Sequence, residues 1–88
     1  MRIGRIIGTV VATRKDEKLV GAKLMVTQPL DIGLNPKGEP IIAVDTVGAG
    51  IGELVLYVTG TASRLAARKL ESPIDASIVG IIDEITIK

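Results

Sequence analysis

This chain is a series of short β-branched and aliphatic runs, each interrupted by glycine, proline or aspartate clusters. That punctuation confines it to a mainly β fold. The first run is Arg2 to Thr13. Its even positions, Gly4, Ile6, Gly8, Val10 and Ala12, are small or apolar, whereas Ile3, Arg5, Ile7, Thr9 and Val11 are mixed. A strand apolar on both sides is expected to be covered on both sides. A charged, solvated turn follows over Arg14, Lys15, Asp16, Glu17 and Lys18.

Ala22 to Leu30 reads as a second strand, with Ala22, Leu24 and Val26 on one face and Pro29 near its end. Asp31 to Pro40, with Gly33, Asn35-Pro36 and Lys37-Gly38, reads as an exposed loop. Ile41 to Val44 and Leu54 to Thr59 are the third and fourth strands. Gly60 breaks the fourth, and Thr61 to Leu70 reads as the only helix. Thr61 suits its N-cap, and Ala62, Leu65, Ala66 and Lys69/Leu70 share one buried face. Arg68 and Lys69 complement its dipole in the last turn, and Ser72-Pro73 ends it. Ala76 to Ile87 is the final long strand, with Ile78 and Ile82 opposite Val79, Ile81, Ile85 and Ile87. Five strands and one helix in this order fit a small barrel, closed or partly open.

The length of 88 residues allows a single domain, 1–88, and one core. Folded alone, so short a chain buries only about two-thirds of the surface its unfolded form exposes. Yet 47% of its residues are hydrophobic, more than one small core can hide, so oligomerisation is the expected outlet. The longest uncharged run, Leu54 to Ser63, is about half of the ~20 residues a membrane helix needs. Met1-Arg2-Ile3-Gly4-Arg5 leads straight into the first strand without the apolar core of a signal peptide.

Composition also removes whole classes of chemistry. The chain has no cysteine and no histidine, which excludes the usual zinc sites, imidazole bases and thiolate nucleophiles. Lysine and arginine number 11 against 10 acidic residues, they are scattered, and Tyr57 is the sole aromatic. A nucleic-acid binder needs a basic stripe, and a single-strand binder adds stacking rings. No nucleic-acid partner is therefore expected.

Three local patterns invite a catalytic or binding reading. Gly48-Ala49-Gly50-Ile51-Gly52 approaches a dinucleotide fingerprint, but Glu53 stands where the third glycine belongs and a strand follows instead of a helix. Gly60-Thr61-Ala62-Ser63 could hold an anion, although an ordinary capped helix start explains it. Asp83 and Glu84 are strand neighbours that point to opposite faces, and Asp45 and Glu53 flank a turn. None has an accompanying base, nucleophile or metal ligand, so no enzyme, cofactor or metal is expected.

Crowding explains the glycines differently. Around a rotation axis each copy brings the same atoms, and only small residues avoid collision there, as on the axis of collagen. Gly48, Ala49 and Gly50 are then candidates to line a narrow opening.

The chain resembles the pentameric vertex proteins of bacterial microcompartments, the EutN/CcmL type of carboxysomes and ethanolamine-utilisation compartments. The resemblance runs from Ile7-Gly8-Thr9-Val10-Val11-Ala12-Thr13 through Gly21-Ala22-Lys23-Leu24-Met25-Val26. It is most specific in Ala43 to Gly50, in Gly60-Thr61-Ala62-Ser63-Arg64, and in Ser72-Pro73-Ile74-Asp75-Ala76 leading to Ile78-Val79-Gly80-Ile81-Ile82-Asp83. Leu54 stands where many members carry tryptophan. The resemblance implies a five-stranded OB-like β-barrel with one short α-helix, located in the cytoplasm within a compartment shell. It implies a structural role: a cyclic homo-oligomer, a pentamer with a pore on its axis, closes the corners of a shell tiled by hexameric shell proteins. Asp45, Arg64 and Asp75, the charged residues of the matched motifs, are the subunit-interface candidates, at least one pairing across the boundary. A hexamer remains open, as does the alternative of a small-molecule- or nucleic-acid-binding OB-like module.

Overall fold

The computed structural model describes residues 1–13 and 15–88. Arg14 of the expected charged turn lies outside the described residues; Lys15 to Lys18 are exposed as expected. Five strands, β1 (Arg2–Val10), β2 (Lys23–Leu30), β3 (Ile41–Asp45), β4 (Leu54–Thr59) and β5 (Ala76–Ile81), close into a barrel in the order β1-β2-β3-β5-β4. All neighbours are antiparallel except β3 and β5. That parallel seam holds just two register pairs, Val44 with Ser77 and Asp45 with Ile78. The expected fold class, mainly β with a five-stranded barrel and one short helix, is the observed one.

Alternation decides which side chains enter the barrel, and a bulge in β1 changes its phase. Gly4 and Ile6 point inward, opposite Pro29 and Thr27. The register then slips between Ile6 and Gly8, leaving Ile7 unpaired and half-exposed. Past the slip Gly8 faces Val26 and Val10 faces Leu24, on the outer side, because an inserted residue swaps the faces of all that follow. The even face of the run is thus not one continuous face. In β2 the buried positions are Met25 and Thr27, while Leu24 and Val26 are half-buried outside.

The core consists of Ile6, Met25, Ala43, Ala49, Val55, Tyr57, Ala76 and Ile78, with Ile41 packed against it. Three of these are alanine, which reflects how little room a five-stranded barrel encloses. Gly4 serves the same constraint. A Cβ there would lie 2.6 Å from Thr27 Cγ2 and 3.2 Å from both the Gln28 carbonyl and Tyr57 Cε1.

The helix α1 (Thr61–Ala66) is shorter than expected, and its orientation differs. Gly60 occupies the N-cap and no side chain caps the first turn, so Thr61 is already helical. Ser63 is the buried residue, whereas Ala62 and Leu65 face outward and Leu70 is exposed beyond the helix. Ser63 is held inside by polar contacts. Its hydroxyl donates to the Gly60 carbonyl, and its own carbonyl accepts from Ser77 Oγ at 2.7 Å. A helix anchored by serine on the β5 side need not bury its leucine.

Its C-terminus is a Schellman motif. Arg68 N–H donates to the Leu65 carbonyl (3.1 Å) and Lys69 N–H to the Arg64 carbonyl (3.0 Å). Arg68 takes the left-handed position with φ 57°, where glycine is favoured. That conformation costs an ordinary residue about 1–2 kcal/mol. Arg68→Gly is therefore expected to stabilise the chain by about 0.5–1 kcal/mol, after the extra entropy lost by glycine. Urea denaturation monitored by circular dichroism checks this as a higher midpoint at unchanged slope.

The final strand also ends early, at Ile81. Ile82 N–H still donates to the Leu54 carbonyl (2.8 Å), but residues 83–88 follow without regular structure. Beyond Ile82, Ile85 is half-buried and Ile87 lies in solvent.

Candidate functional site

The loop between β3 and β4, Thr46 to Glu53, is organised by charged side chains on either side of it. Asp45 begins it: Oδ1 accepts from Val47 N–H (2.9 Å) and Gly48 N–H (3.1 Å). Its cross-strand partner Lys23 places Nζ 3.3 Å from Oδ2 and donates to the Ala49 carbonyl at 2.9 Å. The Asp45 carboxylate is 1% exposed, and among the described residues Oδ2 has no hydrogen bond besides this ion pair. At the far end Glu53 Oε1 accepts from Gly50 N–H (2.6 Å). The loop then clamps β1 at its bulge, through Gly52 N–H to the Ile6 carbonyl (2.7 Å) and Ile6 N–H to the Glu53 carbonyl (3.0 Å).

These bonds reassign the glycines. Gly48 and Gly52 adopt φ 79° and 89°, conformations an L side chain rarely takes, so the turn requires them within a single protomer. A Cβ on Gly50 would press on Glu53 Oε1 at 3.3 Å. Ala49 turns its methyl into the barrel core and is buried whole, at 0% exposure, with its carbonyl covered by Lys23. Crowding on an axis is not needed to explain this composition. Of the three residues expected at an opening, the Ala49 side chain does not reach the surface; Gly48 is exposed and Gly50 half-buried.

The charged candidates separate in the same way. Asp45 is engaged inside its own protomer with Lys23 and the loop amides. Asp75 is exposed, and its carbonyl accepts from Gly60 N–H. Among the described residues the Arg64 side chain makes one long hydrogen bond, to Thr61 Oγ1 at 3.4 Å. Sequence reasoning missed Lys23, whose pairing with Asp45 depends on β2–β3 register.

Outside the barrel lie two distinct apolar faces. On one, Gly8, Val26 and Ile42 form a cross-strand row, with Val10, Leu24 and the buried Val44 beside it. On the other, Leu30, Ile3, Leu56 and Gly80 line up across β2, β1, β4 and β5. Total accessible surface is 5658 Å², against roughly 4,900 Å² expected for a monomeric protein of 9.2 kDa. The surplus is apolar in part: Ile7, Val11, Val20, Ile32, Ile42, Ile51, Leu65 and Ile87 are all exposed.

No cluster of acidic residues suited to a metal occurs among the described residues, and none of their helices is long and apolar enough to cross a membrane. Tyr57 lies in the core, so the one aromatic ring is not offered to a nucleobase. What this surface provides is area for association.

Known proteins share this arrangement throughout the chain. Residues 1–83 match the EutN_CcmL family model, described as ethanolamine utilisation protein EutN/carboxysome. The bacterial microcompartment shell vertex protein GrpN of Rhodospirillum rubrum is 47% identical over 85 residues, 97% of this chain and 96% of that protein. The carboxysome shell vertex protein CcmL of Gloeobacter violaceus is 40% identical over 87 residues, covering 99% and 87%. Among solved structures, the GrpN pentameric microcompartment shell protein from Rhodospirillum rubrum superposes with a TM-score of 0.88 at 45% identity, covering all of both chains. A family model across nearly the whole length and relatives at this identity make the chain a member of the EutN/CcmL family.

Proposed function

We propose that this protein is a structural vertex unit of a bacterial microcompartment shell, a cyclic homopentamer that caps the corners between hexameric shell proteins. One observation carries the reading: a barrel of the vertex-protein family carries two unlike apolar rows on its outside, only half-buried for the most part. Unlike faces cannot pair by a twofold axis. They pair head to tail, and head-to-tail contacts close into rings where the rotation between neighbours closes, which the pentameric GrpN of the same family supports. A flat sheet of sixfold units cannot close by itself, and a fivefold unit at each corner supplies the missing curvature.

In such a ring the loop from Thr46 to Gly52 is assigned to the axial opening, with Gly48 and Gly50 contributing backbone and Ala49 buried behind them, fixing the loop to the barrel. Arg64 and Asp75 are assigned to the subunit boundary. No reaction is ascribed to the protein, and its place is the shell.

The test is co-expression of matching hexameric shell proteins with and without this chain, followed by electron microscopy. Closed polyhedra are expected in its presence, and open sheets, tubes or leaky particles without it. Equally closed, equally impermeable shells in both cases would defeat the vertex assignment.

A further inference from the structure

The last residues of the chain read as strand but find no strand to pair with among the described residues. Ile85-Thr86-Ile87 alternates residues that favour β structure, yet residues 83–88 are irregular and Ile87 is 69% exposed. Elsewhere on the barrel a strand edge stands open. β3 meets β5 only at Val44 and Asp45, so Ile41, Ile42 and Ala43 have no strand on that edge among the described residues. Beside it lies an apolar groove of about 150 Å³, lined by Leu19, Leu24, Ile42, Val44 and Ile74, with exposed Asp75 at its rim.

From this we infer that the segment Glu84–Lys88 of one copy adds as a strand to the open β3 edge of the next copy. The inference rests on the ring reading above and names one of its joints. An unpaired edge beside an apolar groove is the arrangement used in β-strand addition, where main-chain hydrogen bonds supply affinity and alternate side chains enter pockets. Ile87 fills the groove near Ile42, and Lys88 meets Asp75.

Position and reach both fit. The tail leaves from the Ile82–Leu54 bond at the C-terminal end of β5, whereas the groove borders its N-terminal end, at Ala76. A connection from one end of a protomer to the opposite end of its neighbour is head to tail. Asp83 to Lys88, extended, span about 20 Å. That is close to one barrel width, the short dimensions of the protomer being 23 and 22 Å. The docking also covers a β-edge that is unpaired there and exposed at Ile42, which would otherwise invite aggregation.

The chain contains no cysteine, so cross-linking can be directed to one pair of positions. In the Ile42→Cys/Ile87→Cys variant, mild oxidation is expected to give a denaturing-gel ladder that ends in covalent pentamers. Either single variant would stop at dimers. A variant that is pentameric by light scattering but gives no ladder, or only internally bridged monomers, overturns the tail docking and leaves the ring intact. If the unmodified chain is itself monomeric, the ring reading fails, and this joint with it. Hydrogen exchange supplies a second measurement in the unmodified protein. Those amides of Ile41 to Ala43 that are not bonded to β2 are expected to be protected, and Ile87→Asp to speed their exchange at least tenfold. Exchange unchanged by Ile87→Asp overturns the inference.

Discussion

Gly4→Val is expected to yield no folded protein, the largest effect of any single substitution considered for this chain. The first atom added at Gly4 already lies 2.6 Å from Thr27 Cγ2, in a fully buried side chain. The Gln28 carbonyl and the Tyr57 ring stand at 3.2 Å, so neighbours on two sides block relief. Overpacking a full core costs about 1–3 kcal/mol, and more where backbone must move. At roughly 0.05–0.15 kcal/mol per residue, a domain this small has little stability to lose. The milder Gly4→Ala measures the clash. It is expected to lose about 2–3 kcal/mol in urea denaturation, with about 1 kcal/mol regained when Thr27→Ser removes the offending methyl. Full rescue is not expected, because the carbonyl and the ring remain. Wild-type stability in Gly4→Ala would show that β1 and β2 separate more easily than their packing implies.

Light scattering of the purified chain at micromolar concentration is expected to return about five times 9.2 kDa, and Ile42→Asp to return single chains. Ile42 is 47% exposed on the outer face of β3, so the barrel itself tolerates the change. The penalty falls on association. Burying an unpaired carboxylate at a joint costs at least ~2 kcal/mol, which weakens each contact about thirtyfold. A ring repeats that loss at every joint. Circular dichroism identical to the parent would confirm that the barrel survives. A compact monomer in the unsubstituted chain would leave the exposed apolar rows without a purpose. A pentamer unaffected by Ile42→Asp would place the joints on other faces.

Fidelity between residues and architecture was greatest where the chain is locally unambiguous. β-Branched runs ended by Gly60, Asp45 or the Asp31–Pro40 loop placed all five strands, because such breaks act on the backbone alone. The family motifs, and the lack of thiols and imidazoles, were equally local properties. Tertiary structure decided what depends on barrel closure. The bulge at Ile7 moved Gly8 and Val10 to the outside, since one inserted residue reverses every later side chain and no pattern of residue types marks the slip. Leu65 sat at helical spacing for burial, yet Ser63 took the interior, where Gly60 in its own turn and Ser77 on β5 offered it hydrogen-bond partners. The small size of Ala49 suits an axis, but it equally admits the residue to a cramped barrel interior, where it is fully buried. Ile85-Thr86-Ile87 has the composition of a strand, but strands exist only in pairs, and composition does not say where the partner lies. What the sequence by itself determined was where the chain could extend and turn. Which face turned inward, which loop glycines served the turn, and which edge stayed open were settled by the packing of one strand against another.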